Sequence, residues 1–241
     1  MPGQATRSIC PGRIAGMKLL AIDTSTESGS IALLNGKELL RRRCPAGRSH
    51  SETLLPLIRD TLHEAGWRLP ELAAIAFAAG PGSFTGLRVA CGITQGLAVA
   101  HDLPVVAIGT LEAMALDSGG DRAIVLLDAR MGEVYYGFFV EGQPATAIGV
   151  APPAHVPVPD TSGWLACGNG LRQYPLLQER FVGCVENWLP DLLPDAGAVA
   201  RLAVTELAHG RAIDAALATP SYMRDKIALT VAERLATGGK A

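Results

Sequence analysis

The sequence predicts an α/β fold built of layers, in which helices cover parallel strands. Short apolar runs such as KLLAID (residues 18–23) have the length and composition of buried strands. Leucine and isoleucine recur at helical spacing between residues 51 and 66. The elements follow in the order βββαβα, and strands joined through a crossover helix are expected to run parallel.

The first half of the chain is predicted to span residues 17–117 and to open with three strands. After the strand at 18–23, the dipeptide Asn35-Gly36 predicts a two-residue hairpin turn within SIALLNGKELLRRR. Ser51 or a neighbour is expected to cap the helix over 51–66, which Gly66 ends. The rest of the half is a strand at 73–79, a glycine-rich loop, a helix at 84–100 and a strand at 105–109.

A second, less regular half is predicted over residues 118–220. It opens with the strand AIVLLDA (residues 123–129), and Met131-Gly132 turns the chain into EVYYGFFV. A proline-rich connector at 151–160 and a short strand, WLACG, precede a helix that Asp195 caps and that ends near His209. Residues 1–16 are predicted to be a disordered extension before a functional start at Met17, and residues 221–241 a C-terminal tail.

Composition narrows the class of protein. The formal charge of −2 gives no broad basic field, so a nucleic-acid substrate would be bound mainly by a partner. The five cysteines are widely spaced and form no CxxC pair, which argues against a disulfide framework and a zinc knuckle and favours a reducing, cytoplasmic location. No apolar run approaches the roughly 18 residues that span a bilayer, so no membrane partner is expected.

Polar residues at two strand ends form a candidate nucleotide site. Asp23, Thr24 and Ser25 end the first strand, and Asp128 holds the matching position in the second half. Hydroxyls and backbone N–H groups at the carboxyl ends of strands can cradle a phosphate, and two carboxylates at one cleft suit magnesium. Asn169, in CGNG, is a candidate ribose contact. Turns that satisfy their own backbone explain the same residues, and both interpretations stay open.

Two further stretches invite a chemical interpretation. The loop AGPGSFTG (residues 79–86) lacks the GK[ST] of a Walker A loop and does not fit GxGxxG. Its glycines suit either an anion at the helix N-terminus or a close backbone neighbour. His50, Ser51 and Glu52 suggest a hydrolase, but side chains adjacent in sequence diverge, so helix capping is the favoured interpretation.

Five stretches of the chain form a recognisable set: MKLLAIDTSTESGSIAL, RSHSETLLPLI, GPGSFTGLRVACGITQGLA, LPVVAIGTLEAMA and LDARMGEVYYGFF. Together they resemble the TsaB (YeaZ) family, whose members are paralogues of TsaD and act in the synthesis of threonylcarbamoyladenosine in tRNA. The resemblance is close through about residue 140 and returns at PSYMR (residues 220–224).

The resemblance implies a fold, a role and a set of partners. The fold is the duplicated actin-like ATPase architecture (ASKHA, ribonuclease H-like), in two subdomains. The role is that of a non-catalytic subunit of the complex that modifies adenosine in tRNAs reading ANN codons. The implied partners are TsaD, TsaE, tRNA through the complex, and a second copy when the chain is alone. No cofactor of its own is implied, and ATP or ADP with Mg²⁺ at the interface of the complex is left open.

The same resemblance provides a test for a catalytic metal. TsaD-like proteins carry HHMEGH after the strand that follows the glycine-loop helix, and its second and last histidines bind the metal. Aligned on this chain, those histidines fall on Thr110 and Met114, and the glutamate falls on Glu112. Threonine and methionine do not suit an imidazole-preferring metal centre. Neither a metal site nor a catalytic residue is therefore expected.

The helix at 84–100 poses the last question, because it is apolar around most of its circumference. Such a helix must be covered on more than one side. Small residues recur at i, i+4 and permit close approach by a second helix, and the resemblance implies pairing through such first-domain helices. The predicted partner interface comprises Gly86, Ala90, Gly92, Ile93, Gly96 and Leu97. For this helix, the alternative is burial within the chain's own domain. For the function, the alternative is a free-standing ATPase or small-molecule kinase of the same superfamily.

Overall fold

The computed structural model describes residues 16–223 of the chain. The predicted extension at 1–16 lies outside this range apart from Gly16, and the predicted tail lies outside it after Met223. Arg224 of the PSYMR stretch is likewise not described.

The first half forms a five-stranded sheet with strand order β3-β2-β1-β4-β5. The strands β1, β2 and β3 are antiparallel neighbours, whereas β4 and β5 run parallel to β1 because helices connect them. The elements are β1 (Lys18–Asp23), β2 (Ser30–Asn35), β3 (Glu38–Arg43), α1 (His50–Glu64), β4 (Ala74–Gly80), α2 (Phe84–His101), β5 (Val105–Gly109) and α3 (Thr110–Ser118), with a 3-10 turn at Leu69–Glu71.

The second half repeats this arrangement in a sheet of order β11-β10-β6-β7-β8, with β9 paired to β7. An antiparallel hairpin, β6 and β7, again lies beside two parallel strands, β10 and β11. The elements are β6 (Arg122–Arg130), β7 (Glu133–Val140), β8 (Gln143–Pro144), β9 (Gly149–Ala151), β10 (Trp164–Cys167), α4 (Gly170–Gln173), α5 (Leu176–Phe181), β11 (Val185–Leu189) and α6 (Ala196–Ala208), with 3-10 turns at Pro153–His155 and Ala215–Leu217. The predicted duplicated α/β architecture is confirmed.

Both faces of the first sheet are buried. Alternate residues of its strands, among them Leu20, Ile22 and Phe77, pack against α1 and α2. The intervening residues, such as Leu19 and Ala21, pack against α6. This alternation follows from the period of two along a strand, and it explains why β1, β2 and β4 are apolar along most of their length, whereas the edge strand β3 carries three arginines.

Two helices cross over between the halves of the sequence. Helix α6 follows the second sheet in the chain yet packs on the first, and α3 precedes the second sheet yet joins its core through Leu111 and Met114. The predicted boundary between residues 117 and 118 separates the two sheets in sequence. Each sheet is nevertheless covered by a helix from the other side of that boundary.

Two predicted details need correction. The hairpin turn lies at Gly36 and Lys37, because Asn35 still pairs with Glu38 across the ladder. Helix α1 begins at His50, with Ser49 in the capping position but no side-chain cap. By contrast, Asp195 caps α6 through the Gly197 N–H, as predicted.

Candidate functional site: an interlobe cleft and a small-residue helix

The chain after β1 is anchored to the start of α2. The Thr24 hydroxyl donates to the Gly86 carbonyl over 2.7 Å, and the Ser83 N–H donates to the Ser25 carbonyl over 2.7 Å. A Cβ at Gly82 would lie 2.5 Å from the Ser25 carbonyl oxygen, and one at Gly86 would overlap that of Thr24. The glycines of this loop therefore allow close backbone approach, which was one of the two uses left open by the sequence.

Asp23 faces the interior of the protein. One carboxylate oxygen, Oδ1, accepts from the N–H and hydroxyl of Ser25 at 2.8 and 2.7 Å, and the other, Oδ2, is buried without a hydrogen-bond partner among the described residues. Burial raises the pKa of Asp23, which the Ser25 hydrogen bonds lower in part. The nearby Asp195 carboxylate adds to the rise, and His50 lowers the pKa slightly.

A cleft of about 1040 Å³ lies between the two halves. Of the five candidate nucleotide residues, Ser25, Asp128 and Asn169 line it, whereas Asp23 and Thr24 are buried behind it. The cleft lining also includes side chains that the sequence analysis did not single out, namely Arg43, Phe84, Arg130, Tyr135, Arg172 and Tyr222.

The strand-end carboxylate of the second half is held by its own chain. Asp128 Oδ1 accepts from the Arg130 N–H at 3.0 Å and from the Tyr174 hydroxyl at 2.9 Å. The Asp128 backbone N–H donates to Asn169 Oδ1 at 2.9 Å. Asn169 thus bonds the backbone of its own chain, which is one of the two interpretations that the sequence leaves open. Asp128 thus lines the cleft, whereas Asp23 is buried behind it.

The other residues considered for catalysis or metal binding bond to neighbouring residues or are buried in the core. His50 Nε2 hydrogen-bonds the Thr26 carbonyl at 2.9 Å and the Ser51 hydroxyl lies 2.6 Å from that of Ser49, so no triad forms. Thr110 and Met114 are buried on α3. Within residues 16–223, no three His, Cys, Asp or Glu side chains are grouped so as to hold a metal ion.

The six residues of the predicted interface fall on different sides of α2. Gly86 and Ala90 are buried against the chain's own β1 loop and core. Gly92 and Gly96 are exposed, with open space where a Cβ would stand, and Ile93 and Leu97 lie half-buried beside them. Helix α2 is thus covered by its own sheet on one side and free of the described chain on the other.

The open side of α2 continues into an apolar groove of about 540 Å³ along α1. Its α1 wall was not predicted, because the apolar residues of that helix recur at the spacing of a single buried face. Two exposed side chains, Leu55 at 47% and Val99 at 67%, extend the apolar area. We call this area the α1–α2 surface; it comprises Leu55, Trp67, Leu69, Gly92, Ile93, Gly96, Leu97 and Val99.

These features define a class of protein. Strand order 3-2-1-4-5, its repetition in a second sheet and a cleft between the halves are the actin-like ATPase, ribonuclease H-like architecture. None of the helices in residues 16–223 is long and apolar enough to cross a membrane.

The chain is similar to named proteins over most of its length. It is 34% identical over 226 residues to the tRNA threonylcarbamoyladenosine biosynthesis protein TsaB of Escherichia coli (strain K12), which covers 88% of this chain and 96% of that protein. Over 124 residues it is 45% identical to the Haemophilus influenzae protein of the same name, covering 50% and 52% of the two chains. Residues 45–164 match the family described as TsaD: tRNA N6-adenosine threonylcarbamoyltransferase.

The structure agrees with these similarities. The solved structure of YeaZ from Pseudomonas aeruginosa superimposes with a TM-score of 0.78 at 39% identity, covering 86% of this chain and 99% of that one. The chain therefore belongs to the TsaB (YeaZ) family.

Proposed function

We propose that this protein is a non-catalytic subunit of the enzyme that adds the threonylcarbamoyl group to adenosine in tRNAs reading ANN codons. The observation that carries the proposal is its similarity, over 96% of that protein's length, to a tRNA threonylcarbamoyladenosine biosynthesis protein. The match of residues 45–164 to the transferase family supports descent from a common ancestor with the catalyst. A cytoplasmic location is part of the proposal.

Helix α3 supports a subunit without catalytic activity of its own. Thr110 and Met114 stand where the transferase has its metal-binding histidines, and both are buried in the chain's own core. Glu112, at the position of the intervening glutamate, is largely buried, and burial raises its pKa. A buried position without an imidazole ligand is unfavourable for a divalent cation, so Thr110 and Met114 support a subunit that works through a partner.

The α1–α2 surface is the proposed contact with TsaD. Gly92 and Gly96 let a partner helix come close to the α2 backbone, while Ile93, Leu97 and Leu55 supply apolar area on either side. A second copy of the chain would use the same surface when TsaD is absent. TsaE is expected to join the complex, and tRNA to bind to the assembly.

The proposal is tested by purification from native cells and by reconstitution. A tagged chain should retain TsaD and TsaE, identified by mass spectrometry, and should stimulate threonylcarbamoyl transfer only when TsaD is added. Transfer to tRNA by this chain alone, or its isolation without TsaD at native expression levels, would contradict the proposal.

A free-standing ATPase or kinase is less well supported. Such an enzyme needs carboxylates free to hold Mg²⁺ in the cleft, but Asp23 is buried behind it and Asp128 accepts hydrogen bonds from Arg130 and Tyr174. ATP or ADP with Mg²⁺ at the interface of the assembled complex remains a proposal.

A further inference from the structure

A band of basic residues follows the outer edge of the first sheet. Residues 37–48, KELLRRRCPAGR, hold five cations and one anion, a net charge of +4 in a chain whose total is −2. They form β3, the edge strand of the sheet, together with its flanking turn and loop. We call Lys37, Arg41, Arg42, Arg43 and Arg48 the basic edge.

The protein neutralises the basic edge only in part. Arg41 and Arg43 share one carboxylate, Asp195, with N–O separations of 3.5 and 3.7 Å. Arg42 pairs with Glu64 on α1. Lys37 and Arg48 form no ion pair within residues 16–223. With Glu38 counted as well, five cations face three carboxylates, so the edge keeps an excess of positive charge.

The three arginines of β3 are exposed on both faces of the sheet edge, where an extended anion could contact them. Side chains alternate along a strand, so Arg41 and Arg43 project from one face of the sheet and Arg42 from the other. Their side chains remain 51%, 60% and 39% exposed despite their ion pairs. Arg43 also lines the interlobe cleft, across which Arg130 and Arg172 lie. The positive band therefore runs from the sheet edge to the rim of the cleft.

We propose that the basic edge binds the phosphate backbone of the tRNA in the assembled complex, an inference that rests on the proposed function. Four of its five cations are arginines, whose planar guanidinium groups bind phosphate oxygens through two parallel hydrogen bonds. A lipid surface fits less well, because it requires apolar side chains beside the cations and none of the exposed large apolar residues lies within 37–48. With a net charge of −2, the chain needs the complex to hold RNA.

The test measures tRNA binding by the reconstituted complex from about 50 to 200 mM salt. The variant R41Q/R43Q/R48Q is compared with R122Q/R201Q/R211Q, which removes the same charge from arginines outside the basic edge. The measured quantity is the slope of the logarithm of affinity against the logarithm of salt concentration. We expect the magnitude of this slope to fall by about 2 to 3 in the first variant, because each phosphate contact contributes nearly one unit to it. The control should keep the wild-type slope.

A second variant guards against misfolding, because Arg41 and Arg43 pair with Asp195. Lys37 and Arg48 lie in exposed loops, so K37E/R48E should fold normally and still weaken tRNA binding. Equal slopes in all complexes would overturn the inference and leave the proposed function intact. Loss of TsaD binding with an unchanged salt slope would also overturn it, since the edge would then contact protein. A wild-type complex that does not bind tRNA would overturn both.

Discussion

At the scale of one residue, the buried carboxyl of Asp23 affects the stability of the fold. Its Oδ1 is satisfied by Ser25, but its Oδ2 is buried without a partner among the described residues. Burial disfavours the charged form, and the Asp195 carboxylate adds repulsion, so the pKa of Asp23 lies above its ordinary value of 3.8. This carboxyl therefore opposes folding at neutral pH.

The substitution Asp23→Asn should reveal this effect through its pH dependence. Because the folded pKa is raised, the wild-type contribution to stability is fully present below the unfolded pKa of about 3.8 and is lost as pH rises through the folded pKa. The free energy of unfolding of the variant minus that of the wild type should grow by up to about 1.4 kcal/mol per pH unit in that window. Urea unfolding between pH 4 and 8 measures it.

Exposed Asp60→Asn is the control, because that side chain is 66% exposed. Its stability difference from the wild type should stay flat over the same pH range. A flat difference for Asp23→Asn would show that the carboxyl titrates normally in the folded protein.

At the scale of one element, α2 uses its small residues for two purposes. Those near its N-terminus, Gly86 and Ala90, let the β1 loop and the sheet approach the helix. Those further along, Gly92 and Gly96, meet nothing in the described chain. A single glycine pattern in the sequence thus serves an internal contact and the proposed external one.

Two alanine substitutions on α2 separate these purposes. Gly86→Ala places a Cβ against the Thr24 carbonyl oxygen, and it should lower the free energy of unfolding by about 3 kcal/mol or more. Gly92→Ala meets open space and should raise it by about 0.5 to 1 kcal/mol, because alanine is the better helix former. Chemical denaturation of both variants measures the difference, and equal effects would contradict the assignment of Gly86 to an internal contact.

Local patterns predicted most elements but not their packing. The strands β1 to β7 and β10 and the ends of α2 and α6 follow from apolar runs, capping residues and glycines, whereas the short elements β8, β9, β11, α4 and α5 were not predicted. Helix α3 was not predicted, because Leu111, Ala113, Met114 and Ala115 are all buried and leave no amphipathic pattern. The orientation of Asp23 and Thr24 also escaped prediction, since a position at a strand end does not fix the direction in which a side chain points. Helix α2 has both buried and open glycines because Gly86 contacts Thr24, a residue 62 positions earlier in the sequence. Local sequence patterns do not report a contact of that separation.

At the scale of the whole molecule, the two halves depend on each other. Helix α6 covers the face of the first sheet that includes Leu19, Ala21 and Ala76, although it comes late in the chain. A fragment of residues 17–117 would leave that face exposed to water. We expect the fragment to lack a cooperative thermal transition, whereas residues 17–223 should show one. Differential scanning calorimetry compares the thermal transitions of the two fragments. Cooperative unfolding of residues 17–117 would show that the first half folds by itself.

The buried positions of Thr110 and Met114 lead to a prediction about metal content. The purified chain alone should carry neither iron nor zinc at one equivalent, because neither residue replaces a histidine ligand. Elemental analysis by mass spectrometry decides this. One equivalent of metal, lost on mutation of any of the five histidines, would contradict the argument from the paralogue.

The central claim, that the open side of α2 binds TsaD, is tested most directly by Gly92→Leu. Both Gly92 and Gly183 are exposed, with open space where a Cβ would stand, so Gly183→Leu on the second half is the matched control. The measurement is the Kd for TsaD by isothermal titration calorimetry, with thermal stability recorded on the dilute monomer. We predict that Gly92→Leu keeps the monomer folded and weakens binding at least about fivefold, as overpacking of a close contact by about 1 kcal/mol or more requires. Gly183→Leu should bind like the wild type, and a Gly92→Leu protein that binds TsaD as tightly as the control would contradict the account.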